Sequence, residues 1–182
     1  QLRFENCKLH LNEEKTKIVY CKSSRRKESY SNVTFDFLGF TFQPRESIDK
    51  QGNRFTGFLP AISQKSMKRI NETIHSWHLN RHPNQTLEHL AADINPIVRG
   101  WMTYYGKFYP TRLKRFMQTL NGRLARWVMC KFERYRNRFY PAQEWLAHIA
   151  EKEGLIFYHW KCGVLPRFTN KNKVKSQLIM VK

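Results

Sequence analysis

The sequence predicts an α+β fold: a short β-hairpin and strand segment, then a mostly helical part built on three helices. Three observations carry that expectation. Short aromatic and β-branched stretches alternate before Pro60, apolar residues recur every three or four positions from Ser63 onward, and Pro, Gly and polar clusters punctuate both regimes. With 182 residues, 41% of them hydrophobic and 14% aromatic, the chain buries an ordinary core and is excluded from the disordered class. No apolar run reaches the roughly 18–20 residues that span a bilayer, so no membrane role is expected.

In the β part, Leu9-His10-Leu11 and Lys17-Ile18-Val19-Tyr20 flank a polar turn, Asn12 to Thr16, and predict two strands. Ser23 to Asn32 is polar and basic, an exposed loop. Phe35 to Phe42 is aromatic, with an alternation that slips at Leu38-Gly39 and so predicts a bulge or a close backbone approach. Asp49 to Asn53 is a turn, and Arg54 to Leu59 returns as a strand ahead of Pro60.

The helical part opens at Ser63, an N-cap, with Met67, Ile70, Ile74 and Trp77 on one face. Arg81 to Gln85 breaks that helix and Thr86 caps the next, which carries Leu87, Leu90, Ala91 and Ile94. Pro96 predicts a kink or restart, beyond which Ile97, Trp101 and Tyr104 form a stripe that stops at Gly106. A third helix runs from about Thr111 into the 130s with Leu113, Phe116, Leu120, Leu124 and Trp127 inward. Trp77, Trp101 and Trp127 are read as core. The domain boundaries expected are 1–60, 61–145, and a basic extension over 146–182.

Lysine and arginine total 33 against 14 aspartates and glutamates, a net charge of +19. More than half of that excess lies in residues 61–140, where 15 basic residues face 4 acids. From Lys107 to Arg138 there are ten basic residues and one acid, Glu133. Such imbalance points to a polyanionic partner rather than to a solvated face, whose charges are usually mixed. At about 100° per residue, Arg112, Arg115, Arg123 and Arg126 share one flank of the third helix. Lys65, Lys68 and Arg69 load the first turns of the first helix, against its dipole, a conflict that a bound anion relieves. Arg99, Lys107, Lys114 and Lys131 extend the basic set, and past Lys131 the apolar phase drifts so that Arg134, Arg136 and Arg138 leave the bundle. The aromatic neighbours Tyr104, Tyr105, Phe108, Tyr109, Tyr135 and Tyr140 suit stacking on bases.

No catalytic constellation accompanies this charge. Two-metal catalysis needs clustered carboxylates, and the adjacent pair Glu13-Glu14 sits in a polar turn while Asp36 stands alone. There is no phosphate-binding glycine loop and no nucleophile elbow. His75, His78 and His82 have metal-compatible spacing but no Cys or carboxylate partner, so no metal site is expected. Cys7, Cys21, Cys130 and Cys162 form no framework and read as reduced thiols of an intracellular protein. Gln1 to Glu5 carries no signal core and reads as the interior of a longer protein.

Lys15-Thr16-Lys17 followed by Phe37-Leu38-Gly39-Phe40 resembles the last blocks of a retroelement reverse transcriptase palm. Ile94-Asn95-Pro96-Ile97-Val98-Arg99-Gly100-Trp101, then Tyr104-Tyr105-Gly106, Leu120-Asn121 and Arg126-Trp127, resembles the maturase-specific domain of group II intron-encoded proteins. The resemblance covers roughly residues 9–165. It implies that residues 1–60 end the palm, with Phe37, Leu38 and Gly39 in the region supporting the primer end. It also implies that residues 61–145 are the thumb, or X domain, which binds intron RNA to assist splicing and grips the RNA/DNA template–primer duplex. The family's Tyr-x-Asp-Asp motif has no counterpart here, so the Mg ions of polymerisation belong to an upstream site and no cofactor is expected in this chain. The implied location is the bacterial cytoplasm or an organelle. The competing readings are a part of an active RNA-directed DNA polymerase and a non-enzymatic basic RNA-binding structural protein.

Overall fold

A computed structural model describes residues 2–10, 12, 14, 16–23, 25–26, 28–153 and 156–167. The fold is α+β, with a three-stranded antiparallel sheet ahead of a mostly helical part. The chain divides into two compact units, Gln1–Pro60 and Ala61–Lys182.

The first unit begins with a short helix, α1 (Leu2–Asn6), that no sequence pattern announced. The strand expected over 17–20 does not form and Leu9 and His10 lie in no strand; Leu11, Glu13 and Lys15 lie outside the described residues, and residues 16–23 are irregular. Ile18 is 94% exposed, so this stretch has no apolar face to bury against a sheet. Instead Tyr20 closes a loop: its N–H donates to Asn32 O at 2.8 Å, its hydroxyl donates to Glu28 at 2.7 Å, and its ring lies 4.4 Å from that of Tyr30.

The sheet is made of β1 (Phe35–Phe37), β2 (Phe40–Ile48) and β3 (Arg54–Ile62), in that order. The slip at Leu38-Gly39 is a hairpin turn and not a bulge. Phe37 pairs with Phe40, and both connecting residues have positive φ, 47° and 79°, the backbone of a type I′ turn whose twist matches the strands. Phe35 pairs with Phe42 and their rings stack at 4.8 Å, with Phe58 of β3 next to them at 6.1 Å. The Asp49–Asn53 turn forms as expected. The Asp49 carboxylate accepts the N–H groups of Asn53 (2.8 Å) and Gln51 (2.9 Å), which holds its carboxyl below the usual range. β3 runs on through Pro60, which an edge strand tolerates because the missing donor faces no partner.

In the second unit, α2 (Gln64–Ser76) starts at Ser63, whose hydroxyl accepts the Ser66 N–H at 3.1 Å. A 3-10 turn, Leu79–Arg81, leads to α3 (Leu87–Tyr105), capped by Thr86. The expected restart at Pro96 does not occur. The helix continues because its buried residues Leu90, Ile94, Val98 and Met102 keep one stripe on both sides of the proline. That stripe replaces the expected Ile97, Trp101 and Tyr104: Ile97 and Tyr104 are exposed, and Trp101 is half-buried, stacked on Trp77 at 5.7 Å. α4 (Pro110–Lys131) has proline at its first position, where no donor is needed, and buries Leu113, Met117, Leu120, Leu124 and Trp127. Phe116, expected inward, is half-buried and Met117 takes its place.

The helical part exceeds three helices. A 3-10 turn, Glu133–Tyr135, joins α4 to α5 (Phe139–Lys152), and α6 (Tyr158–Lys161) follows. The boundary drawn at residue 145 therefore falls inside α5, whose Ala142, Leu146, Ala147 and Ala150 are buried. Phe157, His159, Trp160 and Val164 are also buried, so this stretch is core rather than a basic extension. Lys171, Lys173 and Lys175 lie outside the described residues.

Two asparagines fasten that C-terminal stretch. Asn95 of α3 accepts the Tyr158 N–H at 2.7 Å and donates to Ile156 O at 3.0 Å. Asn121 of α4, fully buried, donates to Val164 O (3.0 Å) and Gln118 (3.1 Å), and its oxygen receives Trp160 Nε1–H and His159 Nε2, both at 2.8 Å. Since indole only donates, the carboxamide orientation is fixed, and His159 must carry its proton on Nε2. Its Nδ1 is buried without a partner, and burial pushes the imidazole down to about 3.

Three outcomes follow. Limited proteolysis cuts first between residues 9 and 34 and leaves a fragment containing 61–167, seen by mass spectrometry; early loss of α4 peptides would contradict the packing. Asn121→Ala orphans three buried groups and costs about 3 kcal/mol in urea unfolding, within the range for several lost buried hydrogen bonds. Between about pH 6.5 and 3 an unfolded histidine binds a proton that folded His159 refuses, so stability is complete above 6.5 and falls with decreasing pH by up to ~1.4 kcal/mol per unit. Carboxylates such as Asp49 and Glu88, lowered from ordinary values of 3.8 and 4.5, add to the loss only as pH falls below those values, in the lower part of that range. Urea unfolding of His159→Gln, flat between pH 6.5 and 5, checks the assignment.

Candidate nucleic-acid interface

The basic flank of α4 is present as its spacing requires. Arg112 and Arg123 are half-buried and Arg115 and Arg126 exposed, on the side of α4 that faces α2. Because α2 and α4 are both amphipathic and pack along apolar stripes, their polar flanks leave hollows between them. Near the start of α4 a hollow of about 480 Å³ is lined by Met67, Tyr109, Thr111, Arg112, Arg115 and Phe116. Further along, one of about 260 Å³ lies among Ile74, His75, His78, Leu79, Asn80, Arg81, Arg123 and Arg126. A third, about 630 Å³, is bounded by Asn80, Arg126, Met129, Cys130, Lys131, Glu133, Arg136 and Asn137. Each of the four arginines thus borders a concavity, and Arg126 borders two.

Among the described residues, no carboxylate lies within ion-pair distance of these four arginines. Among the described residues, Arg54 pairs with Glu46 at 3.2 Å and His148 Nδ1 lies 3.8 Å from Glu151, both elsewhere. Planar guanidinium groups that make no ion pair with an acid favour a multidentate oxyanion such as phosphate. Arg126 also lies 6.0 Å from the Phe139 ring and Arg134 4.6 Å from that of Tyr135, so cations and aromatics alternate at this end.

Not every basic residue singled out in the sequence joins this surface. Lys131 is a strut: its ammonium donates to Pro83 O and Gln85 O, both at 2.8 Å, and lies 5.3 Å from the Trp127 ring. Lys114 sits roughly opposite the arginine flank, its Nζ 3.6 Å from where a Cβ on Gly163 would stand. Lys65, Lys68 and Arg69 are exposed on the first turns of α2, and Arg99 on α3. Lys107 is exposed beside the Phe108 ring at 5.9 Å. Arg136 borders the third hollow, and Arg138 is exposed at the start of α5. Phe37 and Leu38 are exposed at the tip of the β1–β2 hairpin, with Gly39 completing its turn.

Sequence reasoning passed over Arg81 and Asn80. Both follow the end of α2, and only the return of the 3-10 turn onto α4 makes them neighbours of Arg123. Among the described residues, no group of three or more His, Cys, Asp or Glu side chains is arranged to hold a metal. No helix among them is long and apolar enough to cross a membrane. All four cysteines are free.

Residues 67–145 match the family model of the group II intron maturase-specific domain. The match runs from Met67 in α2 to Trp145 in α5 and so contains every residue that lines the three hollows. No curated protein and no solved structure matches the chain. Over residues 67–145, from α2 into α5, the chain is thus similar to the group II intron maturase-specific domain.

Proposed function

We propose that the α2–α4 flank binds group II intron RNA and thereby assists its splicing. The observation that carries this reading is the row Arg112, Arg115, Arg123 and Arg126, unpaired by acids and opening onto successive hollows. A rigid helix bearing such a row follows the phosphates of an A-form duplex across its wide, shallow minor groove. Discrimination between RNAs then rests on shape and on unpaired loops, for which Tyr109 and the Phe139–Tyr140 pair supply stacking surfaces. In a longer polymerase the same flank grips the template–primer duplex. The exposed hairpin tip of Phe37 and Leu38 favours that second role, with the Mg ions and catalytic carboxylates supplied upstream.

Binding to a folded group II intron RNA and to an unrelated RNA of equal length, each across a salt titration, tests the reading. Tighter binding to the intron at physiological salt is expected. Equal affinities that collapse together with salt would reduce the protein to a nonspecific basic grip. Replacing Arg112, Arg115, Arg123 and Arg126 together by Ala lowers the slope of log affinity against log salt by about 3 to 4, at ~0.7–0.9 per phosphate contact. Lys131→Met has the opposite signature: it destabilises the fold by about 1–3 kcal/mol, by orphaning two carbonyls, and changes the slope less than any single arginine substitution. Urea unfolding and the same salt titration measure the two effects side by side.

A further inference from the structure

We infer that the hollow of about 260 Å³ between the end of α2 and α4 is a phosphate subsite, which takes one phosphate group of an RNA strand. The inference rests on the RNA-binding reading and names the group it would hold most closely. Three guanidinium-bearing residues, Arg81, Arg123 and Arg126, converge here from two elements, and no carboxylate lines the space. His75 and His78 complete the wall, their rings edge to face with centroids 5.6 Å apart. Three cations brought to one concavity repel each other, and an anion placed among them removes that repulsion. The same three cations argue against a metal ion, for which two imidazoles alone would be left.

The site is held rather than merely bordered. Trp127 Nε1–H donates to His82 O at 3.0 Å, and Lys131 donates to Pro83 O and Gln85 O, which pins the segment carrying His78 and Arg81 onto α4. His78 sits in the left-handed backbone region at φ 45°, where its N–H reaches His75 O at 3.2 Å while its carbonyl receives the Arg81 N–H at 2.7 Å. A non-glycine residue kept in that region marks a backbone fixed by its surroundings. Ile74 and Leu79, both buried, form an apolar floor. The volume suits a phosphate with its sugar and falls below the ~300–1,000 Å³ of whole small-molecule pockets. Arginine forks match phosphate oxygens in pairs, and the imidazole N–H groups add single donors.

Two sources share this chemistry, a phosphate at a strand end and one in the strand interior, and the full chain answers in two experiments. In the first, inorganic phosphate is titrated at constant ionic strength while the imidazole NMR signals are followed. Saturable shifts at His75 and His78, absent at His89 and weakened about tenfold in apparent affinity by Arg81→Ala, support the site. Shifts that do not saturate, or that appear equally at His89, overturn it. This arm uses no RNA, so saturable phosphate binding alongside absent RNA binding would sink the RNA reading alone.

In the second, 5′-phosphorylated and 5′-hydroxyl RNA oligomers of one sequence are compared on wild type, His75→Ala/Arg81→Ala and Arg112→Ala/Arg115→Ala. A preference for the 5′-phosphate that the first double variant removes assigns a strand end. Equal affinities, both lowered about tenfold by that variant, assign an internal phosphodiester. Equal affinities untouched by it overturn the subsite, while a loss in the Arg112/Arg115 variant would still uphold the groove. His75 and Arg81 are exposed, and the far-ultraviolet circular dichroism of each variant verifies its fold.

Discussion

Asn121 has four hydrogen-bonding positions on a carboxamide sealed from water, and all four are used. The arrangement binds the middle of α4 to Gln118 and to three residues that lie about forty positions later in the chain. A buried amide is tolerable only when fully paired, so the C-terminal stretch must occupy one position and no neighbouring one. Phe157 and Trp160 then pack over the bundle, and Asn95 repeats the clamp one helix away. The tautomer of His159 follows from this side chain, and its acid sensitivity follows from the burial of the ring.

Fixing α4 in this way also fixes its charges. An arginine row without ion-paired acids raises the repulsion within the folded state, and among the described residues no salt bridge relieves it. What holds the row together is the opposite face of the same helix, where Leu113, Met117, Leu120, Leu124 and Trp127 are buried at 0 or 1% exposure. Burial of several large side chains contributes about 1.5–3 kcal/mol each, well above the cost of cations that keep contact with solvent and its screening ions. Core and interface are thus two sides of one helix, and the first sustains the second.

Much of this was readable from residue order. The α+β division, the caps at Ser63 and Thr86, the Asp49–Asn53 turn and the arginine flank all rest on local spacing, which three- and four-residue rules capture. Local spacing failed where packing decides. Lys17–Tyr20 looked like a strand but Ile18 points to solvent, and Tyr20 closes a loop on Glu28, Tyr30 and Asn32 instead. Pro96 looked like a break, yet the stripe from Leu90 to Met102 carries the helix past it. α5 went unseen because three of its four buried residues are alanines, which leave a faint periodic signal. Lys131 looked like one more cation for a partner, and its two carbonyls come from residues nearly fifty positions away. The hollow at Arg81 was hidden for the same reason, since its walls meet only in three dimensions.

The two asparagine clamps have a consequence for the order in which the protein is made. Asn95 waits for residues 156 and 158, and Asn121 waits for residues 159 to 164, so the bundle cannot close until that stretch has been synthesised. At elongation rates of about 5–20 residues per second, the interval between Met67 and Val164 is roughly 5–20 s. During it the apolar stripes of α2, α3 and α4 stand uncovered beside a full complement of cations. A nascent chain in that condition is sticky toward both proteins and RNA, and the arrival of residues 156 to 164 is what ends the exposure.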